Sequence, residues 1–198
     1  MVVIHDETLE RTTSGRGRVI ERSIQELKQL DAGSTFHPSF SQEKIPTLRE
    51  VLEIAKGKVQ VNIELKVGDY GRRTILDLGD RALQEVERAG MMDQILFSSF
   101  DPFVVENLIK TRPTLRVAYL YNRPWRFPRE VTEGRPFFTL NCRKSVLNGE
   151  NISRAHQEGI QIVVYTLDTE EEMEQFIALK VDGIITNYPD RLIQILKR

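Results

Sequence analysis

Cysteine occurs once, at Cys142, so no internal disulfide framework can brace the fold and a cysteine-built zinc site is excluded. A reducing cytoplasm is the simplest home for such a chain. No run approaches the roughly 18 apolar residues that a transmembrane helix needs, so membrane insertion is not expected. An excess of one charge sign is also missing. The 28 basic side chains are balanced by 29 acidic ones, which gives nucleic acid or an anionic membrane no field to bind. Linkers, charge blocks and low-complexity tracts are absent, and 198 residues suffice for one well-buried core. The chain therefore reads as a single domain spanning residues 1–198.

What is present is an alternation. Ser23 with Glu26, Thr47 with Glu50, and Thr169 with Glu172 each show the capping-box spacing. Asp101-Pro102 places a good N-cap before a proline at the first helical position. Helices are expected near 23–31, 47–56, 72–89, 101–111, 149–158, 169–179 and 189–197. Between them lie short β-branched or aromatic runs at 59–65, 94–97, 115–120, 136–140, 161–166 and 183–186, with a further strand at 2–4 opening the chain. Alternating elements of this kind predict an α/β fold with a parallel sheet. Gly90 and Gly159 stand where left-handed C-caps would lead back into strands. A doubly wound open sheet is the competing architecture. It is weakened by the absence of a glycine-rich strand-to-helix turn of the dinucleotide-binding kind.

In parallel α/β folds the reactive side chains gather at the C-terminal ends of strands. There the sequence offers His5-Asp6, Glu64 with Lys66, Ser98-Ser99, Tyr119 with Tyr121, Asn141, Tyr165-Thr166 and Thr186-Asn187. His5 is either a general acid or base or a loop histidine capping its own turn. Glu64 and Lys66 share one strand face. They are either an ion pair or a carboxylate for a hard divalent cation beside a lysine for phosphate. Ser98 and Ser99 are expected to serve the backbone, since no partner histidine or nucleophile elbow accompanies them. His37 and His156 read as structural, and Trp125 as a loop anchor over the strand ends or a substrate-facing aromatic.

Three stretches together resemble the glycerophosphodiester phosphodiesterase family. The first is His5-Asp6-Glu7-Thr8-Leu9-Glu10-Arg11-Thr12-Thr13 with glycines at 15 and 17. The second is Asn62-Ile63-Glu64-Leu65-Lys66, and the third is Asp182-Gly183-Ile184-Ile185-Thr186-Asn187-Tyr188-Pro189-Asp190. Ser98-Ser99-Phe100-Asp101-Pro102 fits as well. The resemblance implies a TIM-type (β/α)8 barrel that hydrolyses glycerophosphodiesters to an alcohol and sn-glycerol 3-phosphate. It implies His5 as one of two acid–base histidines and Lys66 as the residue that steadies phosphate charge. Glu64 would be a ligand of a divalent cation, calcium or magnesium. Tyr165 would lie near the polyol of a small-molecule substrate.

The family's His-Arg-Gly and Glu-x-Asp segments do not occur, and Met1 aligns after both. An incomplete barrel without its first two strands and first helix is therefore expected, with open edges near Val59 and Gly183 that leave the chain marginal, aggregation-prone or dependent on self-association, a homo-oligomer being one outcome. The alternative implied by that departure is a catalytically impaired, binding or non-enzymatic barrel. Lysophospholipid or sphingomyelin-like headgroups are disfavoured, because no apolar or basic membrane-binding surface is evident.

Overall fold

In a computed structural model of the chain, residues 1–68, 72–133 and 137–198 are described, apart from the side chains of 72–75. The chain forms two compact units, Met1–Val61 with Gly68–Ile95 and Asn62–Val67 with Leu96–Arg198. No helix among the described residues is long and apolar enough to cross a membrane.

The first unit carries helices α1 (Ile24–Gln29), α2 (Leu48–Ala55) and α3 (Arg72–Ala89). Ser23 and Thr47 open α1 and α2 with complete capping boxes, so orphan N–H groups are satisfied at both starts. The expected strand at 2–4 is reduced to one antiparallel bridge between Val2 and Thr47. The physical reason lies in the partner segment: Pro46 has no N–H to give, and Thr47 already turns into α2. Val2 and Ile4 instead pack against the buried cluster of Leu9, Leu27 and Ile45. Gly17 holds φ at +89°, a conformation that glycine adopts without steric cost. Gly33 lies so close to Phe40 that an added Cβ would meet its carbonyl oxygen at 2.0 Å.

The second unit carries all of the sheet but Val61 and Ile95. Six strands lie in the order β1 (Val61–Glu64), β2 (Ile95–Ser99), β3 (Arg116–Tyr121), β4 (Thr139–Arg143), β5 (Gln161–Tyr165) and β6 (Gly183–Ile185). Register is parallel from β2 through β6, and the N–H of Leu65 donates to the carbonyl of Ser98 at 2.7 Å beside it. Spatial order equal to chain order is the pattern of a (β/α)8 barrel, represented here by six strands, and it excludes the strand-order reversal of a doubly wound sheet. The expected strand at 136–140 begins outside the described residues, and β4 runs three residues further than predicted.

The intervening helices are α4 (Pro102–Thr111), α5 (Pro128–Thr132), α6 (Gly149–Gln157), α7 (Glu170–Ala178) and α8 (Pro189–Leu196). Asp101 caps α4 by accepting from the N–H groups of Phe103 and Val104. Thr169 caps α7, but the expected box is not closed there. The Glu172 carboxylate pairs with Lys144 and accepts from the Asp168 N–H instead of returning to the cap residue. The five-residue α5 was not foreseen; Pro128 at its first position was the available signal.

Period two sorts the strand residues onto two faces. Phe97, Val117, Leu140, Cys142, Ile162 and Val164 occupy one of them and are buried. Val164 and Leu167 pack on Met173 and Phe176 of α7, so helix and strand bury each other's apolar side. Fully burying a side chain of this size contributes about 1.5–3 kcal/mol. The opposite face carries the polar set Ser98, Thr139 and Asn141, and its C-terminal end carries Arg143 and Tyr165.

Candidate active site

Within the first unit, His5 follows Ile4 and stays in water, with its side chain 71% exposed. Its Nδ1 lies 2.6 Å from Asp6 Oδ1. Arg11 grips the same carboxylate with two donors, Nε to Oδ2 at 2.5 Å and Nη2 to Oδ1 at 2.8 Å. The Arg11 guanidinium first, and His5 second, hold the Asp6 carboxyl well below the usual carboxylate range. Beneath this exposed layer the segment is anchored. Leu9 is buried, its N–H donates to Gly17 at 3.0 Å, and its carbonyl accepts from both the Thr13 N–H and the Thr13 hydroxyl.

Within the second unit, Glu64 ends β1 and Lys66 stands two residues beyond it. Neither makes an ion pair or hydrogen bond among the described residues, so they are not a Glu–Lys pair. Tyr165 ends β5 beside Arg143 of β4. Its hydroxyl donates to the carbonyl of Tyr121 at 3.2 Å, and Phe100 meets its ring edge-on with centroids 6.1 Å apart. Burial pushes the phenol up to about 12; the neighbouring Cys142 and Glu64 act in the same direction, and the Arg143 guanidinium opposes them. Tyr165 therefore remains a protonated donor near neutral pH, within the field of both Glu64 and Arg143. Ser99 serves the backbone as expected, donating to Leu65 O at 2.8 Å and accepting from the Asp101 N–H. Asp168 pins the residues after β6, accepting from the Thr186 hydroxyl and from the backbone and side-chain nitrogens of Asn187.

Among the described residues, the strand ends of the second unit thus present a carboxylate and an ammonium without ion-pair partners, a guanidinium and an amphipathic ring. Such a set suits a small anion carrying a polar organic group. Residues 1–191 match the glycerophosphoryl diester phosphodiesterase family. The chain belongs to that family. A glycerophosphodiester phosphodiesterase of Caldanaerobacter subterraneus is 33% identical over all of this chain and 81% of its own length. One from Bacillus altitudinis is 30% identical over 98% of this chain and 80% of its own. A solved phosphodiesterase of Oleispira antarctica, in complex with the product sn-glycerol-3-phosphate, superposes with a TM-score of 0.92 at 26% identity. It covers 100% of this chain, which spans 79% of that one. The six-stranded sheet is accordingly part of a TIM-type barrel.

Family membership leads to a divalent cation as a question for the residues themselves. Among the described residues no three His, Cys, Asp or Glu side chains gather into a group that could hold a metal ion. Glu64 alone does not fit a hard cation, which takes six or more oxygen ligands. The other expected positions divide by unit. His5 belongs to the first, and Glu64, Lys66 and Tyr165 to the second, where Tyr165 and Glu64 come within electrostatic reach. His37 and His156 have structural partners, respectively the Ser39 N–H and Asp182. Trp125 is buried, as a loop anchor would be. Sequence reading gave no role to Phe100, Arg143 or the Asp6–Arg11 clamp. Register and side-chain contact single them out, and neither is visible in a linear motif.

Proposed function

We propose that the chain hydrolyses soluble glycerophosphodiesters to an alcohol and sn-glycerol 3-phosphate. The observation that carries this reading is Glu64 and Lys66, without ion-pair partners among the described residues at one strand end of a chain that belongs to this phosphodiesterase family. Glu64 is exposed and Lys66 partly so, and neither charge is engaged among the described residues, so both are available to a ligand. The product bound in the Oleispira antarctica relative supports the choice of substrate.

In the reaction, water adds at phosphorus, the phosphorus–oxygen bond to the alcohol breaks, and the departing alkoxide takes up a proton. His5 serves as an acid–base group, its imidazole able both to accept and to give a proton. Lys66 offsets charge that builds on the phosphoryl oxygens. Tyr165, with Phe100 against its ring, contacts the polyol through an apolar edge and a hydroxyl oxygen that accepts, since its proton is given to Tyr121 O. Enzymes of the family are generally metal-dependent. Glu64 is the ligand this chain would offer to calcium or magnesium, yet the described residues complete no site.

The test is turnover of glycerophosphocholine, read as glycerol 3-phosphate released. His5→Ala and Glu64→Ala should each cut kcat/KM by about 100-fold or more with the fold intact. Activity that survives either change removes that residue from the mechanism.

A further inference from the structure

We propose that Asp6, held by Arg11, is the positioning residue of His5: it fixes the imidazole in the Nδ1–H tautomer and leaves Nε2 unprotonated for the reaction. The proposal rests on the reading of His5 as an acid–base group. An ionised carboxylate only accepts, so the 2.6 Å contact between Asp6 Oδ1 and His5 Nδ1 requires the proton on Nδ1. A neutral imidazole then carries its lone pair on Nε2, the nitrogen able to take a proton from water. The one competing contact is Arg11 Nη2 at 3.5 Å from the same Nδ1. Both atoms bear hydrogens in this arrangement, and the separation lies beyond ordinary hydrogen-bond range.

The clamp makes the carboxylate a fixed acceptor. Arg11 presents two parallel donors to the two oxygens of Asp6, which sets the carboxylate plane as well as its charge. Arg11 is itself carried on the Leu9–Thr13 turn, where the Thr13 hydroxyl donates to Leu9 O at 2.7 Å and Leu9 is buried. Rigidity therefore passes from a buried anchor through Arg11 and Asp6 to a ring that is otherwise in water. An imidazole 71% exposed and without such a partner would sample both tautomers and several rotamers. A surface ion pair of this kind adds little to stability. A tautomer and orientation effect is thus separable from a folding effect.

The chain has three histidines, so its imidazoles can be followed individually by long-range proton–nitrogen correlation on uniformly labelled protein, with His5→Gln identifying the resonance. Wild type should show the neutral His5 ring protonated at Nδ1. Asp6→Asn should shift it to a mixture rich in the Nε2–H form, because a carboxamide can donate to the ring as readily as accept. Arg11→Gln should give a smaller shift, and Asp6→Glu should restore part of the wild-type pattern. In turnover, Asp6→Asn should lower kcat about 10- to 100-fold with KM nearly constant. An Asp6→Asn protein that keeps the Nδ1–H form overturns the proposal, as does one that loses thermal stability while keeping kcat. If His5→Gln retains turnover while Asp6→Asn loses the tautomer, the acid–base reading of His5 fails and the positioning of its ring stands.

Discussion

The segment that carries His5 and the strand ends that carry Glu64, Lys66 and Tyr165 hold their side chains in place by different means. Around His5 the fixing bonds are polar and local: Asp6 to Arg11, Glu10 to the Gly17 N–H, Thr13 to Leu9. Around Tyr165 the fixing is a buried parallel ladder with a dry face of Phe97, Leu140, Ile162 and Val164 behind it. The ionisable groups record the difference. Asp6 and Glu50, both of the first unit, are held low by donors, whereas burial in the second unit pushes Cys142 and Tyr165 up to about 12. Polar clamps can position a group that must stay in water. A packed sheet can position one that must be partly withdrawn from it.

The largest effect should come from opening the packed side of this contrast. Phe97→Ala removes a fully buried ring and should cost about 3–5 kcal/mol in denaturant unfolding, while leaving the His5 tautomer unchanged. A tautomer change in that variant would show that the two regions are not held independently. Thr13→Val strikes the polar side. It deletes the donor to Leu9 O and strands the Gly15 N–H, which now donates to the Thr13 hydroxyl at 3.0 Å. A loss of about 1–3 kcal/mol is expected by the same unfolding measurement.

Tyr165→Phe removes one hydrogen bond to Tyr121 O and should cost about 0.5–1.5 kcal/mol. If the hydroxyl also meets the polyol, KM should rise several-fold in the glycerophosphocholine assay. An unchanged KM would confine Tyr165 to packing against Phe100.

The smallest effect is a titration. Glu50 is lowered from 4.5 to about 2, first by Lys28 and then by the Thr47 N–H that its capping box engages. Its folded value lies below the unfolded one, so its contribution is present above pH 4.5 and fades as pH falls toward about 2. Acid unfolding followed by circular dichroism should therefore begin at higher pH in Lys28→Ala. No change in onset would mean that the exposed pair adds nothing measurable.

Much of this molecule was legible in its sequence. Capping residues at Ser23, Thr47 and Asp101 fixed where helices begin, because orphan N–H groups need an acceptor within three residues and local sequence supplies it. The alternation of β-branched runs with those helices determined a parallel α/β fold, and short motifs named His5, Glu64, Lys66 and Tyr165 as candidates. Tertiary structure decided what depends on partners distant in sequence. The β-branched residues 2–4 had the propensity for a strand but met only Pro46 and a helix start, so no ladder grew. Thr169 had its glutamate at the right spacing, yet Lys144, 28 residues away, drew Glu172 off. Whether Glu64 and Lys66 pair, which residue stands beside Tyr165, and how Arg11 fixes Asp6 are likewise settled by register and contact. A sequence states what each residue can do, and the competition among partners is resolved only when they meet in space.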